Sequence, residues 1–109
     1  MTQSPRRQGI HHLWPDRKPL VGMVHLLPLP GSPRWGGTMG AVVDQALADA
    51  EALASGGMDG ILVENFLDAP FFADRVPPET VAAMARVASA VVAASRAPVG
   101  INVLRNDAR

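Results

Sequence analysis

Cysteine is absent from this chain, which at once removes disulfides, thiolate zinc sites and a cysteine nucleophile. That composition suits a reducing compartment, and a cytoplasmic location is the expectation. Charge of one sign is equally lacking. Ten basic and ten acidic residues cancel, so neither nucleic acid nor an anionic membrane is favoured as a global partner. Long apolar runs are missing too: the stretch around Val81–Ala94 contains Arg86 and many alanines and falls short of a membrane span. The beginning of the chain carries Arg6-Arg7 with no hydrophobic stretch behind them, so it reads neither as a secretory nor as a twin-arginine signal. Residues 1–17 are expected to form a loose, polar arm.

What is present is a repeating alternation. Three short apolar runs read as strands, Leu20–Leu26, Gly60–Glu64 and Val99–Val103, with starts 40 and 39 positions apart. Each suits a strand buried on both faces, as parallel sheets require. Between them lie two amphipathic segments. The first, Gly40–Ser55, sets Val43, Ala46, Leu47, Ala50, Leu53 and Ala54 on one stripe; Thr38 is a candidate N-cap and Gly56-Gly57 a stop. The second, Pro78–Ser95, opens with prolines and Glu79 and carries Val81, Met84, Ala85, Val87, Ala88, Val91 and Val92 on a broad apolar face. The order β-α-β-α-β predicts a parallel sheet with right-handed crossovers.

The connections are unequal. Segments leaving the strands are long, Leu27–Met39 and Asn65–Pro77, whereas those leaving the helices, Gly56–Asp59 and Arg96–Pro98, are short. In (β/α) barrels the loops after the strands build the functional face and the opposite turns serve stability. A dinucleotide-binding fold is disfavoured: the turn after the first strand reads Leu27-Pro28-Leu29-Pro30-Gly31-Ser32-Pro33, with no G-x-G-x-x-G to wrap a pyrophosphate. A closed barrel needs roughly 200 residues or more, so 109 residues with three strands are expected to be the amino-terminal part of one.

Three segments in compatible order resemble the BtpA family, also called BtpA/SgcQ. They are Lys18-Pro19-Leu20-Val21-Gly22-Met23-Val24-His25-Leu26-Leu27-Pro28-Leu29-Pro30-Gly31-Ser32-Pro33, then Val63-Glu64-Asn65-Phe66 with Asp68-Ala69-Pro70-Phe71, and finally Val99 through Asp107. The resemblance covers residues 18–109. It implies an α/β chain forming part of a TIM (β/α)8-type, phosphate-binding barrel, about its first three parallel strands and two helices. It also implies a link to photosystem I biogenesis in phototrophs, with peripheral thylakoid association there. The alternative is a cytoplasmic barrel enzyme, nucleosidase-like or acting on a phosphosugar, whose full-length form is homo-oligomeric. No reaction is settled for the family, and members also occur in non-photosynthetic bacteria and archaea.

The candidate site residues cluster at the predicted strand ends. His25 closes the first strand, where it would serve as general base, substrate hydrogen-bond donor or metal ligand; the plainer alternative is a buried histidine satisfied by a backbone carbonyl. Glu64 and Asn65 close the second. Because side chains alternate, one of them faces the barrel mouth and the other the helices. Glu64 is the expected catalytic partner of His25, against a simple pairing with Arg105. Asn102, a polar residue in an apolar strand, is expected to hydrogen-bond inward. Arg105 would grip a phosphate or carboxylate, and Asp107 would contact substrate or a cation unless Asn106-Asp107 merely caps a following helix. Trp35 and Phe71-Phe72 would form a lid or a partner contact, or pack beneath their own loops. Gly36-Gly37 and Gly40 could admit an anion at a helix start. His11-His12 lacks a second ligand pair and reads as part of the solvated arm. No cofactor is indicated. The expected partner is a small phosphorylated or nucleoside-like molecule.

Overall fold

The computed structural model describes residues 12–65 and 77–103. Three strands, β1 (Val21–His25), β2 (Gly60–Glu64) and β3 (Val99–Asn102), alternate with two helices, α1 (Met39–Ser55) and α2 (Pro78–Ala94). The sheet order is β1-β2-β3 with both pairings parallel. The architecture is α/β, consistent with part of a (β/α) barrel. Every expected strand and helix is present, with ends differing by one residue where they differ at all.

Both helices pack on one face of the sheet and against each other. Val24 of β1, with Ile61 and Val63 of β2, points into that layer and is at most 1% exposed, meeting Val42, Ala46, Met84, Val87 and Val91 from the helices. At Gly22 a Cβ would stand 2.8 Å from Leu53 Cδ2, so α1 lies close against β1 only because this position has no side chain. The opposite face holds Val21 and Met23, 45% and 40% exposed, beside the half-buried Leu62.

The helix faces are rotated slightly from the expected ones. Val42 is buried in α1 while Ala54 is exposed; in α2, Thr80 and Ala83 are buried while Ala85 and Val92 face outward. The reason is that α1 and α2 pack on each other as well as on the sheet, which pulls each buried stripe toward its neighbour. Thr38 takes the extended N-cap conformation, yet its side chain makes no capping bond. The glycine stop after α1 is fully realised. Gly57 has φ +98, Gly57 N–H donates to Ala54 O at 3.1 Å and Met58 N–H to Leu53 O at 3.1 Å, the paired bonds of a Schellman motif.

Near residue 17, at the carboxyl end of the segment expected to be an arm, the chain is fastened to the sheet's approach. Arg17 pairs with Asp59 Oδ1, while Asp59 Oδ2 accepts the Leu20 N–H at 2.9 Å. The Trp14 ring lies 3.1 Å from where a Gly60 Cβ would stand, so the chain crosses beneath β2 before it enters β1. A partly sheltered carboxylate that takes a backbone N–H and a guanidinium together can hold an incoming segment in place.

Two outcomes are expected. Gly57→Ala loses about 1 kcal/mol, because the position is open and only its left-handed backbone is strained; the measurement is urea unfolding of a full-length protein carrying this segment. The isolated 109-residue chain, with Val21, Met23 and Ile101 exposed, is expected to self-associate and melt without cooperativity. Sedimentation and calorimetry check this, and a cooperative melt of a monomer would contradict it.

Candidate functional site

Register decides what the strand ends share. Parallel pairing sets His25 opposite Glu64 and Glu64 opposite Asn102. Three consecutive strands therefore each place one polar side chain in a single transverse row, at the carboxyl end of the sheet and on the face away from the helices. In a barrel this face is the interior.

Within the row the contacts are direct. Asn102 Nδ2 donates to Glu64 Oε2 at 2.5 Å. Glu64 Oε1 stands 3.6 Å from His25 Nε2, ion-pair range when the imidazole is protonated. The Glu64 side chain is only 11% exposed against 43% for His25, so the acid is sheltered between an amide and a more open imidazole. A carboxylate accepts but does not donate, so the amide must turn its nitrogen to Glu64 and keep Oδ1 for other use. The row can thus exchange a proton at His25, hold hydroxyl or ammonium donors, or contribute oxygen and nitrogen ligands. No group of three metal-ligating residues gathers among the described residues.

The remaining candidates divide. Asn65, the residue after β2, is 1% exposed; continuing the strand's alternation by one position sets it on the helix side rather than on the face of the row. Arg105, Asp107, Phe71, Phe72 and His11 lie outside the described residues. Trp35 is partly buried against the hydrophobic core, which is the packing alternative for that side chain.

The loop after β1 forms a fixed wall beside the row. Leu26 N–H extends the ladder by donating to Glu64 O at 3.0 Å, and Leu29 is wholly buried. At Pro30 the loop is latched to the first turn of α2, where Thr80 Oγ1 donates to the Pro30 carbonyl at 2.6 Å. Gly31 follows with φ +94, and a Cβ there would come within 2.5 Å of Thr80 Oγ1 and 3.1 Å of Pro77 Cγ. Thr80 is not among the candidate residues that the sequence singles out. Its one legible signal was a hydroxyl three residues after Pro77, at a helix position that also faces the core.

A cavity of roughly 940 Å3 opens at the other end of the sheet, between the last turns of the two helices, lined by Trp14, Arg17, Glu51, Asp59, Val91 and Arg96 among others. It shares no residue with the polar row.

The chain belongs to the BtpA family, whose profile matches residues 16–109. It is 58% identical over 90 residues to the photosystem I biogenesis protein BtpA of Synechocystis, covering 83% of this chain and 31% of that protein. It is 50% identical over 92 residues to the uncharacterized protein PF0860 of Pyrococcus furiosus, covering 84% and 35% respectively. It is 39% identical over 89 residues to the putative sgc region protein SgcQ of Escherichia coli, covering 80% and 33%. The chain thus spans about a third of the length of these relatives. No solved structure matches it significantly. No described helix is long and apolar enough to cross a membrane.

Replacing Thr80 by valine keeps the shape and removes the donor, leaving the Pro30 carbonyl without its partner. The expected loss is about 1–2 kcal/mol in chemical unfolding of the full-length protein. Gly31→Ala is expected to cost more than that, since it adds a steric conflict to backbone strain.

Proposed function

We propose that this chain supplies the beginning of a (β/α) barrel whose carboxyl edge binds a small polar molecule, a phosphosugar or a nucleoside-like compound, in the cytoplasm. His25 and Glu64 are the reacting pair, and Asn102 steadies them. Arg105 and Asp107, which follow the third strand in sequence, orient the ligand. The observation supporting this reading is the row itself: three polar groups from three strands, in register and in mutual contact, on the face that a barrel encloses. A buried acid such as Glu64 with no ligand to serve is a cost that valine or leucine at that position would avoid. The ligand class rests on analogy between barrels.

A second reading has its own support. The 58% identity to the photosystem I biogenesis protein of Synechocystis favours a role for the complete protein in building or stabilising that complex in a phototroph, from a position peripheral to the thylakoid. The two readings meet in one experiment. Residues 16–109 replace the matching segment of the Synechocystis protein, and the hybrid is tested with His25→Ala and Glu64→Ala. Thermal shift against a panel of phosphosugars and nucleosides is expected to lose its ligand-dependent rise in both variants, with circular dichroism unchanged. Photosystem I content of a Synechocystis strain that carries each hybrid in place of its own protein then separates the readings. Content that survives both changes assigns the biogenesis role to the barrel surface rather than to the row.

A further inference from the structure

We propose that the row of His25, Glu64 and Asn102 reads the hydroxyl-bearing part of its ligand, a vicinal diol of a sugar, and that any phosphate on the ligand lies away from it. The proposal rests on the small-polar-ligand reading above and goes beyond it by assigning which end of the molecule the row receives.

The argument starts from what each group can offer. Glu64 presents oxygen acceptors only, and Oε2 already accepts from Asn102 Nδ2 at 2.5 Å. That bond fixes the carboxylate plane and turns Oε1 toward His25 Nε2 at 3.6 Å. Because the amide spends its nitrogen on Glu64, its carbonyl oxygen is what it has left to present. The neighbouring strands β2 and β3 therefore offer acceptors side by side, about 4.8 Å apart in strand spacing, with the His25 imidazole next to them on β1. Acceptors call for donors. A pair of adjacent hydroxyl groups supplies two, at a spacing that neighbouring acceptors can share.

Charge points the same way. Among the described residues the row holds a carboxylate and no lysine or arginine, so a dianionic phosphate set against Glu64 would meet like charge in a sheltered place where water screens little. A site meant to grip phosphate would show backbone N–H groups or guanidinium groups instead. Burial also favours a hydroxyl reader over a general cation trap. Among the described residues Glu64 is held by a neutral amide rather than by a lysine or arginine, an arrangement suited to accepting from a ligand.

The test uses the Synechocystis protein itself and the hybrid carrying residues 16–109, with D-ribose 5-phosphate, 2-deoxy-D-ribose 5-phosphate and inorganic phosphate as probes in calorimetric titrations. Ribose 5-phosphate is expected to bind at least about tenfold more tightly than the deoxy compound, the size of one hydrogen bond to a charged group. Glu64→Gln and Asn102→Ala in the hybrid are expected to erase most of that preference while leaving weak binding of inorganic phosphate unchanged. Equal affinity for the two sugars overturns the proposal, as does phosphate binding that Glu64→Gln strengthens at the expense of the sugar preference. If neither sugar binds, the diol assignment falls. The broader reading still stands in that case if another panel compound binds in a His25-dependent way, and falls with it if none does.

Discussion

Parallel pairing in fixed register is the constraint on which the rest of this chain depends. Because side chains alternate with a period of two, the pairing that buries Val24 against the helices with Ile61 and Val63 also sends His25, Glu64 and Asn102 to the other face at one level. The hydrophobic core and the polar row are thus two consequences of one alignment. The core contributes the energy that holds the register, and the register builds the site.

The two ends of the sheet are fastened differently. At the amino end, Asp59 takes both Arg17 and the Leu20 N–H, and Trp14 closes under Gly60. At the carboxyl end the connection after β1 is long and proline-rich, yet it is anchored by Leu29 in the core and by the bond from Thr80 to Pro30. A loop tied down at its middle keeps a defined shape while its remaining length is spared for contacts around a ligand. The half-buried Trp35 belongs to this anchored part.

Much of this was legible in the sequence. Apolar runs at a regular interval, bounded by glycine and proline, located all three strands, and the glycine pair located the end of α1 because only a left-handed residue completes its hydrogen bonds. Polar residues at the ends of apolar runs marked His25 and Glu64, and a polar residue within one marked Asn102. Other features depended on tertiary contact and were not readable. The choice between Glu64 and Asn65 for the open face required the register. The outward turn of Val92 and the burial of Val42 required knowing that the helices pack on each other. The role of Thr80 required two segments fifty positions apart to meet. Trp14 and Arg17 looked like parts of a solvated arm because their partners, Gly60 and Asp59, are also far off along the chain.

The contrast between the tight turn at Gly56–Asp59 and the long segment at Leu27–Met39 has a consequence for how such a molecule can vary. One residue added below the sheet would slide β2 by a single step, turn Glu64 inward toward the helices and break the imidazole–acid–amide sequence altogether. The same addition above the sheet, beyond the Pro30 anchor, would leave all three groups where they are. Novelty in ligand preference is therefore free to accumulate on one rim, while the other must keep count.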